Sequence, residues 1–207
     1  RQPLAVWRQY FTEWIQKPNA ESLLHSGIFF DLEGVWGQTN WAKELNQLIR
    51  QAATKNSRFL ACMSRNALLR TPPLGFFKDF VMETDGRQTN SINMKRRGTA
   101  PIADLVRVHA LAVGSQARNT FERLEDIIEA GILPPGRGLD LRDALEFIAM
   151  VRIRNQVSDI ELKREPDNNI EPEYLSDFER KNLKEAFQIL SSAQRYMKFR
   201  YQPGRVN

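Results

Sequence analysis

Cysteine is almost missing from this chain: one residue, Cys62, stands among 207. A lone cysteine excludes an internal disulfide and fits a reducing, cytoplasmic setting. Its surroundings, Phe59-Leu60-Ala61-Cys62-Met63, suit a small buried apolar residue better than a reactive thiol. Histidine is nearly as scarce. His25 and His109 with one cysteine cannot assemble a zinc site of the usual kinds, and no Ser/His/Asp or Cys/His set suggests itself. No apolar run is long enough to cross a bilayer, and the opening Arg1-Gln2-Pro3-Leu4 is not a signal peptide. Gly-x-x-x-x-Gly-Lys-Ser/Thr and Gly-x-Gly-x-x-Gly phosphate loops are both missing, as are repeats and low-complexity tracts. A start at Arg1 rather than Met leads us to expect that residues upstream were removed or never included.

What is present is an ordinary globular composition, 42% hydrophobic and 27% charged. A chain of this length can bury a core without staples. The net charge of +5 is unevenly placed. Between Arg58 and Arg97 stand eight Lys/Arg and three Asp/Glu, so this window carries the whole surplus. Such a local field suits an anionic ligand or a solvated basic face. Nucleic acid is the weaker partner, because aromatic residues are not interleaved among the cations.

Leu4, Trp7, Phe11, Trp14 and Ile15 recur at helical spacing after Pro3, and Pro18-Asn19 ends that stripe. Ile28-Phe29-Phe30-Asp31-Leu32, between Gly27 and Gly34, predicts a short strand that needs a sheet to join. Helices are predicted from Asn40 to about Lys55, and from Ser57 to Thr71-Pro72-Pro73. Phe76–Glu83, Asp85-Gly86 and Ser91–Lys95 predict a β-hairpin. Beyond Gly98 the pattern is helical. One stripe runs from Ile102 to Val113 with His109 on its apolar side, and another opens at Asn119 or Thr120 and closes at Gly131. A third opens at Asp140, and after a polar loop at 166–172 a fourth opens with the capping box Ser176-x-x-Glu179. The fold class expected is mainly α: an antiparallel helical bundle with a short N-terminal strand and a small β-hairpin.

Two stretches invite chemistry. Glu83-Thr84-Asp85 puts two carboxylates on one strand face, as a two-metal site would want, but the Asp-Gly turn already accounts for Asp85. In Ile92–Arg107, three cations leave a strand, Gly98 frees the backbone, and Thr99–Ile102 begin a helix. Amide groups at a helix start with Lys95, Arg96 and Arg97 beside them would make a phosphate cradle; an exposed basic turn explains the same residues.

Phe29-Phe30-Asp31, Pro72-Pro73-Leu74-Gly75-Phe76-Phe77 and Lys95-Arg96-Arg97-Gly98-Thr99-Ala100-Pro101-Ile102 resemble one bacterial family over about residues 20 to 200. Thr120-Phe121-Glu122-Arg123-Leu124 and Arg152-Ile153-Arg154-Asn155-Gln156 extend the likeness. The family is the nucleotidyltransferase substrate-binding domain, found in proteins that also carry cyclic-nucleotide-binding and CBS domains. It is similar to the uridylyltransferase acting on the PII protein and to the adenylyltransferase acting on glutamine synthetase.

The resemblance implies that the catalytic head, with its Gly-Ser and Asp-x-Asp motif, lies upstream. Residues 1–39 would then be its trailing helix and strand, and 40–207 a helical substrate-binding domain with the hairpin near 76–95. Asp31 is the one catalytic candidate, a third carboxylate, or equally a residue capping the turn that follows. Relatives carry Arg two positions after it, and here that position is Glu33. Lys95 is implied as the triphosphate contact, with Arg96, Arg97 and Gly98, and Asn93 and Asp104 fall on the same pattern. Arg107, Arg123, Arg152 and Gln156 are supporting polar positions, for which hydrogen bonds between helices are an equal explanation. The chain itself would hold no cofactor or metal; magnesium and a nucleoside triphosphate would belong to the full-length protein. Implied partners are the head, the regulatory domains and a protein acceptor. The alternative is a non-catalytic helical regulatory module.

Overall fold

The computed structural model describes residues 2–75, 79–85, 88–202 and 204. Its helices are α1 (Leu4–Gln16), α2 (Ala20–Phe29), α3 (Asn40–Ala53), α4 (Ser57–Ala67), α5 (Ala100–Val113), α6 (Thr120–Glu129), α7 (Arg137–Glu161) and α8 (Asp177–Tyr201). Strands β1 (Glu83–Asp85), β2 (Gln88–Asn93) and β3 (Asn169–Ile170) form one antiparallel sheet in that order. The molecule is thus mainly helical with a small antiparallel sheet, the class its sequence implies. Contacts divide it into two compact units. One comprises residues 1–67, 106–132 and 197–207; the other comprises 68–105 and 133–196. The divisions fall inside α5 and α8, each of which contributes to both.

In the first unit the strand predicted at 28–32 does not form. Residues through Phe29 are helical, and Asn19 starts α2 by a reciprocal cap: Ser22 N–H donates to Asn19 Oδ1 at 2.9 Å, and Asn19 N–H to Ser22 Oγ at 2.7 Å. The apolar run satisfies itself in an aromatic cluster instead of a sheet. Phe29 lies 5.4 Å from Trp7, and Phe30 lies 5.4 Å from Phe11 and 6.1 Å from Phe59. Short apolar runs are ambiguous between strand and buried helix, and here packing against α1 and α4 decides. Residues 1–39, expected as the edge of another domain, pack in this unit together with 40–67. Cys62 is buried and free. Asn56 caps α4, one residue before the predicted start at Ser57, by accepting from Phe59 N–H at 2.9 Å. His109 is fully buried, and its Nδ1 stands 2.9 Å from Tyr201 Oη.

In the second unit the hairpin is present but shorter and displaced, with Glu83 opposite Ser91. The predicted strand 76–83 includes residues 76–78 and the predicted Asp85-Gly86 turn includes Gly86, all of which lie outside the described residues. The polar loop predicted at 166–172 supplies β3, with Ile170 opposite Ile92. Ser176 and Glu179 cap α8 as their spacing predicts, Glu179 N–H donating to Ser176 Oγ at 3.2 Å and Ser176 N–H to Glu179 Oε2 at 3.1 Å. Ile102, Leu105, Leu141, Ile148, Leu183, Phe187 and Leu190 are buried at this unit's core.

The predicted helix start at Thr99 is also corrected. A π-helical turn, Lys95–Thr99, precedes α5 directly, and Ala100 N–H donates to Lys95 O. Gly98 is buried within it, and a Cβ there would stand 2.7 Å from Ile148 Cγ2 and 3.4 Å from Phe187 Cε1. Close packing is what this glycine permits.

Candidate functional site

A pocket of about 480 Å³ opens in the first unit, within the usual size range for small-molecule sites. Three elements and one loop build it. From α3 come Lys43 and Arg50, seven residues apart and so on one helical face. From α5 comes Arg107, and from the turn into α6 and from α6 itself come Arg118 and Arg123. Five cations therefore face one lining carboxylate, that of Asp31, just beyond the end of α2.

Asp31 is engaged on both oxygens. Arg107 Nη2 donates to Oδ2 at 2.5 Å, and Arg123 Nη2 donates to Oδ1. Arg123 is fixed from behind as well, its Nε donating to Ala117 O at 3.0 Å. Arg118 pairs with Glu33, and Asn46 Nδ2 donates to Leu32 O at 3.0 Å, so the segment after α2 is held at three successive residues. The Arg123 and Arg107 side chains are 12% and 21% exposed, against 34% for Asp31. The two guanidinium groups are thus the deeper partners, and the carboxylate is the one nearer water. Two guanidinium groups on one carboxylate repel a divalent cation. The pocket does not fit magnesium, and among the described residues no cluster of three or more His, Cys, Asp or Glu could hold a metal.

The basic turn belongs to the second unit. Its cations are partly spent: Glu83 receives both Arg96 and Arg97, the latter at 2.7 Å, and Arg97 Nη1 donates to Thr71 O at 3.3 Å. At the expected helix start Ala100 N–H is spent on Lys95 O, and just before it Met94 N–H donates to Asn168 O at 2.8 Å and Arg96 N–H to Asn93 Oδ1 at 2.9 Å. Lys95 is exposed. Asp104 pairs with Arg70 at 2.7 Å. Arg152 Nη1 donates to Thr99 Oγ1 at 3.1 Å, and Gln156 reaches Asn168 Oδ1 only at 3.5 Å. Of the predicted site residues, then, Asp31, Arg107 and Arg123 come together in the pocket. Asn93, Lys95, Arg96, Arg97, Gly98, Asp104, Arg152 and Gln156 belong to the other unit.

A family model for a substrate-binding domain of nucleotidyltransferases matches residues 57–201, more than half of the chain. The chain belongs to that family, described as the putative nucleotidyltransferase substrate binding domain. The match begins at Ser57, so the Phe29-Phe30-Asp31 block, expected within the likeness, lies outside it. This domain's pocket accordingly has two sources: Arg107, Arg118 and Arg123 fall inside the matched stretch, and Asp31, Lys43 and Arg50 precede it. No curated protein and no solved structure matches the chain. Sequence reasoning missed Lys43, Arg50 and Arg118. The i, i+7 spacing of Lys43 and Arg50 was the available signal, and it was outweighed by the larger charge surplus between residues 58 and 97. No helix among the described residues is long and apolar enough to cross a membrane.

Proposed function

We propose that this chain is the substrate-binding unit of a cytosolic nucleotidyltransferase, and that the pocket of the first unit receives the phosphates of its substrate. One observation carries the reading: five cations against one carboxylate in a partly enclosed space of about 480 Å³, in a member of this family. Arginine forks match phosphate oxygens two at a time, and screening by water weakens inside such a space. The contribution would be positioning and electrostatics, with the metal chemistry supplied by a separate catalytic unit of the Gly-Ser/Asp-x-Asp type. By resemblance, that unit would transfer a nucleoside monophosphate to a protein acceptor, as in PII-uridylyltransferase-like enzymes, under regulatory domains of the CBS and cyclic-nucleotide-binding kinds.

The test is transfer of label from a radiolabelled nucleoside triphosphate to candidate acceptors by the full-length protein with magnesium. Arg123→Gln is expected to lower kcat/KM by about tenfold or more, the cost of one charge-assisted phosphate contact. Lys95→Ala is expected to have a smaller effect. Wild-type rates in Arg123→Gln together with a collapse in Lys95→Ala would move the phosphates to the basic turn and overturn the pocket assignment.

A second reading has its own observation in favour. Asp31 is tied to two arginines, and Glu33, where relatives carry arginine, is tied to a third. That arrangement suits a non-catalytic regulatory module in which the pocket binds a signal rather than a reactant. Phosphate binding without transfer to any acceptor is the result that reading expects.

A further inference from the structure

Resting on the assignment of the pocket to a phosphate-bearing ligand, we infer that Asp31 is an internal stand-in for that ligand, and that a phosphate group displaces it and frees the segment 31–39. The geometry is that of an occupied anion site. Arg107 and Arg123 converge on the two oxygens of one carboxylate, as they would on two oxygens of a phosphate, and Ala117 O keeps Arg123 aimed there whether or not Asp31 is present. The exchange favours the ligand on charge. A phosphate monoester or pyrophosphate carries more negative charge than a carboxylate and more acceptor oxygens, whereas a monocarboxylate replaces Asp31 with nothing gained. With Lys43, Arg50 and Arg118 also lining the space, the multivalent anion is selected and the monovalent one is not.

The exchange is also easy on the side that leaves. Asp31 lies nearer water than either arginine, and it opens a segment with little packing of its own. Val35 and Trp36 at the middle of that segment are 92% and 94% exposed, so neither of these large apolar side chains holds it down. Its side-chain anchors are the ion pairs of Asp31 and Glu33 and the Asn46 bond to Leu32 O. Gly34 is turned in against Thr39, where a Cβ would come within 2.7 Å of backbone, and Gly37 has φ of +77°, so the loop's shape is local. Losing the Asp31 pairs removes its strongest connection to α5 and α6. The ligand class is therefore a phosphate-bearing molecule of at least two negative charges, and Asp31 is a specificity-determining residue that taxes weaker anions.

The test uses the whole chain and inorganic pyrophosphate, with acetate as the monovalent comparison, in titration calorimetry and in limited proteolysis. Wild type should bind pyrophosphate and not acetate. Asp31→Asn should bind pyrophosphate about tenfold tighter, because the competing carboxylate no longer lowers the fraction of open sites. Saturating pyrophosphate should make the chain more readily cleaved within residues 31–39 in wild type, the reverse of the protection that binding ordinarily gives. This second arm needs no variant, so it stands even if Asp31→Asn folds poorly. Pyrophosphate binding to wild type with unchanged or greater protection at 31–39, or an Asp31→Asn affinity equal to or below wild type, overturns the displacement and leaves the phosphate pocket standing. No pyrophosphate binding by either protein removes both.

Discussion

At the scale of single residues, Gly98 separates two accounts of the same sequence block. As part of a phosphate cradle it would lend its backbone to a ligand; as observed, it is buried and lets the π turn approach Ile148 and Phe187. Both neighbours are fully buried and cannot step aside. Replacing Gly98 by Ala gains up to about 1 kcal/mol of helix propensity but overpacks the core at a cost of about 1–3 kcal/mol. The overpacking wins, and Gly98→Ala should lose about 1–2 kcal/mol in urea unfolding. Adding Ile148→Leu, which removes the obstructing Cγ2, should restore part of the loss. Full stability in Gly98→Ala would show that the contact yields easily, and the packing role would fall.

At the scale of elements, α5 and the last turn of α8 meet through His109 and Tyr201. Burial, with the Arg200 charge adding repulsion, pushes the His109 pKa down from 6.5 to about 4. The folded chain therefore keeps a neutral imidazole between these values while the unfolded chain takes up a proton. Stability is complete above about pH 6.5 and falls as pH drops through the window to about 4, by on the order of 3 kcal/mol if the whole span is used. Urea midpoints followed between about pH 4 and 7 should show this slope in wild type and lose most of it in His109→Gln. An equal slope in both proteins would contradict a buried, neutral His109. At the start of α8, the Glu179 carboxyl is held below its usual range by Arg154 first, and also by the Ser176 N–H. Its contribution is likewise lost as pH falls, but only through its own lowered range.

These elements also show what the sequence could and could not reveal. Capping residues were legible because their hydrogen bonds are local: Ser176 with Glu179, and Asn119, which accepts from Glu122 N–H at 2.9 Å. The helical stripes of α1, α3, α5 and α6 were legible for the same reason, a period of side chains along one segment. The run Ile28–Leu32 was misread because its fate depends on Trp7, Phe11 and Phe59, distant in sequence. The pocket was legible only in part. Asp31, Arg107 and Arg123 stood out one by one, but nothing along the chain says that 31, 43, 50, 107, 118 and 123 converge. Charge counted by window pointed to residues 58–97, where Arg96 and Arg97 already pair with Glu83, and Arg70 pairs with Asp104 beyond the window.

At the scale of the whole molecule, a domain of the nucleotidyltransferase substrate-binding family carries a concentrated positive pocket in one of its two compact units. A site built this way should bind phosphates through charge, so its affinity should weaken as salt rises. The most direct measurement is calorimetric titration of the intact chain with a nucleoside triphosphate at low and high salt, comparing wild type, Arg107→Gln, Arg123→Gln and Lys95→Ala. The account predicts salt-sensitive binding that Lys95→Ala leaves within about twofold and that each pocket variant weakens by about tenfold or more. Binding that survives both pocket substitutions and disappears with Lys95→Ala would contradict it.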